Sequence, residues 1–140
     1  MTKILIIDGQ GGRMGRAVAE QLKARFPAQE LIALGTNSIA TSSMMKAGAD
    51  AGATGEYPII VNSRDADVII GPVGIVMAGS LLGEITPAMA AAVGESPALK
   101  ILIPVSHRAH CRHIIVGCPA MGLSDYIRLV CDQVAELLRP

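Results

Sequence analysis

The sequence predicts a three-layer α/β sandwich with a mostly parallel sheet of five or six strands, in one domain spanning 1–140. Three observations predict it. Short runs of contiguous aliphatics, such as Ile4–Ile7, alternate with longer helix-patterned segments, as do strands buried on both faces and joined by crossover helices. The first run ends in glycines and passes directly into a helical pattern, "IDGQGGRMGRAV" at 7–18. The chain is also 51% hydrophobic with a mean hydropathy of +0.45, yet only 2% aromatic and without Trp. Its core is therefore Ala, Ile, Leu, Val and Met, which suits closely packed parallel strands better than a sandwich of large rings. Together these make the fold Rossmann-like.

Each element follows from its local pattern. Lys3–Asp8 reads as a buried strand because Ile4, Leu5, Ile6 and Ile7 show no polar alternation. Arg13–Phe26 reads as a helix with Met14, Ala17, Val18 and Leu22 on one face, stopped by Pro27. Glu30–Leu34 is a second buried strand ending at Gly35. A short helix follows, opened by Asn37 or Ser38 as its cap and closed by Gly48. In the next segment a strand is expected at Pro58–Val61, with too few residues before Asp67 for a full crossover helix. Asp67–Ile70 is a strand ending at "GPVG". Thr86 and Pro87 start a helix that Gly94 stops. Lys100–Ile103 and His113–Val116 are the last expected strands. Leu123–Leu138 closes the chain as an amphipathic helix, with Tyr126, Ile127, Val130, Val134, Leu137 and Leu138 inward.

Composition narrows the function classes. Twelve basic and twelve acidic residues give zero formal net charge. With no Lys/Arg block and only one Phe and two Tyr, nucleic acid is not an expected partner. The longest apolar tract, "VIIGPVGIVMAGSLLG", is broken by Gly71, Pro72, Gly74, Gly79 and Gly83, so no membrane span is expected. The opening run is too short for a signal peptide. Cys111, Cys118 and Cys131 form no CxxC, so a reduced, cytoplasmic protein is expected. Charged residues are 17% of the chain, below the roughly 25% of average domains, and a homo-oligomer is expected on that ground.

The motif that carries chemistry is the glycine loop. A strand that ends in glycines and turns into a helix offers unpaired N–H groups and the positive helix end to an anion. Gly9 permits the turn, Gly12 has no Cβ to hold a pyrophosphate away, and Gly15 lets the helix pack on the sheet. Gly9, Gln10, Gly11, Gly12, Arg13 and Met14 are thus candidate dinucleotide contacts. A glycine-rich turn that serves packing alone is the competing reading. At the end of the second strand, where NAD-binding domains place an acid for the ribose, stand Gly35, Thr36, Asn37 and Ser38. Their hydroxyl and amide groups would tolerate a 2′-phosphate and tilt the reading toward NADP, though helix capping explains them as well. Gly71 and Pro72 stand where a fourth strand would end beside the first, across the crevice. Asp8, just before the glycines, reads as a turn-stabilising carboxylate, or else as a cation holder.

"GQGGRMGRAV" resembles the nucleotide-binding loop of dihydrodipicolinate reductases, and that resemblance implies an NAD(P)-type half-domain. The reductases' His-rich catalytic loop and lysine motif find no matching residues in this sequence, and no second catalytic domain is expected. A short-chain dehydrogenase is not supported, because Val61 and Val130 stand four residues after Tyr57 and Tyr126 where lysine is needed. Nor does a Lys-Ser or Lys-Thr follow the glycines, as a P-loop requires. Over the full length, "IDGQGG", "ALGTNSIATS", "KAGADAGATGE" and "IIGPVGIVMAGSLLGEITPAMA" resemble a family of small bacterial proteins, a domain of unknown function.

His107, His110, Cys111, His113 and Cys118 crowd one segment, but their spacing matches no standard zinc site and Arg108 and Arg112 disfavour a dication. No metal and no catalytic residue is assigned. The expected function is binding of a dinucleotide, NADP or NAD, at the glycine loop. Turnover would depend on a partner or second copy to wall the site. The alternative is a non-enzymatic oligomeric sensor or scaffold module whose glycines serve packing or bind another nucleotide.

Overall fold

Four consecutive β1 side chains, Ile4, Leu5, Ile6 and Ile7, are at most 1% exposed. Such burial is possible only at the middle of a sheet covered on both faces. The computed structural model, which describes residues 2–104, 113–117 and 121–140, has that arrangement. In chain order the elements are β1 Ile4–Asp8, α1 Arg13–Arg25, β2 Leu31–Gly35, α2 Ser38–Lys46, β3 Ala51–Thr54, α3 Glu56–Ser63, β4 Val68–Pro72, α4 Pro87–Glu95, β5 Leu99–Ile103 and α5 Leu123–Leu137. The five described strands form one parallel sheet in the order β3-β2-β1-β4-β5. This is the Rossmann-like three-layer fold, with its topological switch point between β1 and β4.

The period-2 alternation of β1 divides the core. Ile4 and Ile6 face one layer with Val18, Leu22, Met44, Ile127, Val130 and Val134, from α1, α2 and α5. Leu5 and Ile7 face the other with Ile59, Ile75, Met89 and Val93, from α3, the 3-10 turn Val73–Val76 and α4. Register places Ile4 beside both Leu31 and Val68, so the ends of β1, β2 and β4 lie together on one rim. The Thr36 N–H extends the ladder by donating to the Asp8 carbonyl at 3.0 Å. Thr36 thereby stands next to the glycine loop.

Four expectations are corrected. Pro58–Val61 lies in α3, not in a strand. Gly55, at φ 105, turns the chain into that helix, and Pro58 falls in the first turn, where its missing N–H costs no bond. The strand is instead Ala51–Thr54, a sheet edge whose small side chains are largely exposed and so carry no apolar signal. His113–Val116 is not a strand either. Ile114 and Val116 are exposed, and Gly117 turns the backbone at φ 79. In α5, Leu137 is exposed while Cys131 takes an inward place. The Gly94 stop is slightly early, since α4 runs to Glu95. No described helix is long and apolar enough to cross a membrane.

Candidate functional site

At the carboxyl rim, the loop between β1 and α1 faces the end of β4 across a cleft of about 270 Å³. Asp8, Gly9, Gln10, Gly11, Gly12, Arg13 and Met14 form one wall, with Pro72, Leu81 and Leu123 opposite. Seven of the expected site residues therefore meet here: the six of the loop, and Pro72. Gly71 is buried one residue earlier, pressed against the Ile7 carbonyl. Thr36 and Asn37 join the loop at its β2 side, whereas Gly35 packs against Thr41 and Ser38 begins α2 on the outside.

The glycines divide by role. A Cβ on Gly12 would lie 2.8 Å from the Ala40 Cα of α2, and the residue sits at φ 73. One on Gly15 would lie 2.9 Å from the Asp8 Cβ, and one on Gly9 would lie 2.7 Å from the Thr36 Oγ1. All three are required by packing within the protein. Gly11 differs: it is exposed, nothing stands within 4 Å of its Cβ position, and its φ is outside the left-handed region.

Asp8 acts on the loop from inside. Its carboxylate accepts the Gly9 N–H at 2.8 Å and, through the other oxygen, the Gly15 N–H at 2.7 Å. An acid at the end of β1 thus caps the third residue of α1, in place of the side-chain cap that Gly12 cannot supply. Burial pushes its pKa above the usual carboxylate range against the pull of the Gly15, Gly9 and Met14 N–H groups, and nearby Glu84 adds to the rise. The helix end is therefore partly satisfied from within. The N–H groups of Gly11 and Arg13 have no hydrogen-bond partner among the described residues. The exposed Arg13 side chain forms no ion pair among them.

Glu84 was not anticipated. Its Oε1 accepts from the Thr36 hydroxyl at 2.7 Å, the Asn37 amide at 2.6 Å and the Gln10 N–H at 3.0 Å. The same Gln10 N–H also reaches Oε2 at 3.1 Å. The Asn37 side-chain amide further donates to the Gln10 carbonyl at 3.0 Å, while its Oδ1 accepts the Ala40 N–H and caps α2. Burial works against ionisation of Glu84, but the bonds from Thr36, Asn37 and Gln10 outweigh it and hold the carboxyl below its ordinary pKa. A signal was present in the sequence: Glu84 is the sole charged residue between Asp67 and Glu95. Backbone strain marks the same place. Gln10, Leu81 and Leu82 are the described non-glycine residues at positive φ, at 50, 55 and 56°. Left-handed backbone costs such residues about 1–2 kcal/mol each, and all three flank the Glu84–Gln10 contact.

Of the histidine and cysteine cluster, His107, His110, Cys111 and Cys118 lie outside the described residues, as do Arg108 and Arg112. Among the described residues no group of three His, Cys, Asp or Glu side chains could hold a metal ion.

A family model described as "Domain of unknown function (DUF3842)" matches residues 3–139, nearly the whole chain. The chain belongs to this family. The likeness read from the full-length motifs is thus borne out, and DUF3842 supplies a fold-wide kinship without a reaction. Comparison of this DUF3842 protein with curated proteins and with solved structures gave no match.

Proposed function

We propose that this protein binds a dinucleotide, NADP or NAD, in the switch-point cleft. The pyrophosphate would lie against the Gly11 and Arg13 N–H groups and the Arg13 guanidinium. The observation that carries the reading is the pairing of two features at one point. A cation and two N–H groups that have no partner among the described residues stand on the glycine loop, and the loop faces the end of β4, where open α/β sheets bind ligands. The resemblance of "GQGGRMGRAV" to the reductase loop points the same way. At about 270 Å³ the cleft lies below the roughly 300–1,000 Å³ of complete ligand sites. It would enclose part of a dinucleotide and leave the remainder to a second wall, which a homo-oligomer in the cytoplasm would provide.

A second reading has its own observation. Gly9, Gly12 and Gly15 are all explained by packing, as a scaffold that binds no nucleotide requires. Titration with NADH and NADPH, followed by nicotinamide fluorescence and thermal melting, separates the two. Dinucleotide binding predicts saturation and, at about 100 times the dissociation constant, a stabilisation of about 2.7 kcal/mol. A flat response to both, with the protein folded, overturns the dinucleotide reading in favour of the scaffold.

A further inference from the structure

The end of β2 lacks the acid that usually accepts ribose hydroxyls in such folds, yet a carboxylate stands there. Glu84 reaches it from the loop between β4 and α4. It is held by Thr36 and Asn37, the two residues directly after β2, and by the N–H of Gln10 in the glycine loop. Three donors converge on Oε1, whereas Oε2 takes only the shared Gln10 N–H at 3.1 Å. A carboxylate oxygen has room for a further donor, so Oε2 retains acceptor capacity beside the loop. Glu84 is half-buried and is not paired with a cation among the described residues.

We infer that Glu84, which stands beside the cleft between the end of β2 and Gln10 of its glycine-loop wall, sets the specificity of the site: it accepts a ribose hydroxyl of the bound dinucleotide and rejects a 2′-phosphate, so the site takes NAD in preference to NADP. This inference rests on the dinucleotide reading above and deepens it. The physical ground is charge and donor count. A ribose 2′-hydroxyl offers Oε2 a hydrogen. A 2′-phosphate offers only negative oxygens, to be set against the charge of a half-buried carboxylate beside the glycine loop. Thr36 and Asn37, which taken alone would favour the phosphate, spend their donors on Glu84 instead. The strained backbone at Leu81 and Leu82 fixes the turn that delivers this side chain across 48 residues of sequence from Thr36.

The test compares NADH with NADPH on the purified full chain, since the two share one fluorophore and differ only at the 2′ position. The unaltered protein should bind NADH at least about tenfold more tightly. Glu84→Gln should weaken NADH and bring the two affinities together, with melting curves in the absence of nucleotide confirming that the variant folds. If that variant does not fold, Thr36→Val removes one anchor of the carboxylate and should narrow the same ratio. Equal affinities in the unaltered protein, or tighter NADPH, overturn the inference while leaving dinucleotide binding intact. An unchanged ratio in folded Glu84→Gln also overturns it. Binding of neither nucleotide removes the underlying reading, and this inference with it.

Discussion

Substituting Gly12 and Gly11 separately would divide the two roles a glycine loop can have. In Gly12→Ala the new methyl must occupy a point 2.8 Å from the Ala40 Cα, 3.0 Å from its carbonyl oxygen and 3.2 Å from the Ser43 Cβ. Two of those neighbours are backbone atoms of α2, which cannot swing aside as a side-chain end can. The residue also stays at φ 73, where a Cβ costs about 1–2 kcal/mol. Overpacking a rigid contact adds about 1–3 kcal/mol, so the loss should be about 2–5 kcal/mol. At an unfolding entropy near 2.1 cal/mol/K per residue, that is a fall in Tm of about 7–17 °C. Gly11→Ala meets nothing within 4 Å and requires no unusual φ, so its stability should move by no more than about 1 kcal/mol. Thermal melting of both variants without nucleotide decides the first half, and NADH titration of Gly11→Glu decides the second. A Gly12→Ala protein that melts within about 2 °C of the parent refutes the packing account. Unchanged affinity in a folded Gly11→Glu removes Gly11 from the site.

Arg13→Glu should leave the melting temperature nearly unchanged, because its exposed side chain forms no ion pair among the described residues. It should weaken NADH by about tenfold or more, as expected for a lost charged hydrogen bond, and a salt titration should show a shallower dependence. Asp8 has a raised pKa in the folded protein, so the native state binds the extra proton and stability falls as pH rises from the ordinary carboxylate range through the folded value. The stability of Asp8→Asn relative to the parent should therefore improve as pH rises, in urea titrations from pH 4 to 7; a difference that declines with pH contradicts this. Asp50 is held low by the Lys23 ammonium 2.6 Å away and by the Leu31 N–H at 2.8 Å. Its contribution is present above the ordinary value and lost as pH falls through the folded one, so Asp50→Asn should flatten the acid limb of the stability curve below about pH 4. Leu82 is exposed at φ 56, and Leu82→Gly should relieve about 1 kcal/mol of strain and raise the Tm slightly; a lowered Tm would show that the side chain makes contacts in solution.

The legible part of the fold was the part with a burial signal. β1 is written as four consecutive aliphatics because both faces of a central strand are covered, and Ile4–Ile7 show it. Asn37 announced α2 through its cap, and Thr86 with Pro87 announced α4. β3 was illegible for the opposite reason. An edge strand of Ala51, Gly52, Ala53 and Thr54 buries little, and Gly52 is there because Met45 and Thr41 pack over it, a tertiary demand without local pattern. Without that strand, "PIIV" was free to imitate one. Helical spacing between the buried Ile59 and Ser63 is too short a run to outweigh four β-compatible residues.

For the site, local sequence located the wall but not what fastens it. The glycine loop was legible because a strand, a turn and a helix mouth are contiguous. The Asp8 carboxylate was legible as a turn stabiliser because its bonds reach only seven residues, to Gly15. Glu84 closes the same loop from 74 residues beyond Gln10, through a contact that depends on the β1–β4 register and on two leucines held at positive φ. Its isolation in an apolar tract was the single trace. A charge kept at one point of such a tract costs solvation wherever it is not repaid. Here the repayment is visible as donors from Gln10, Thr36 and Asn37. A carboxylate needed only to pin two loops could be replaced by a neutral acceptor, and Glu84→Gln would then alter nothing but stability. Discrimination at the 2′ position requires the charge itself, which separates a fastener from a selector.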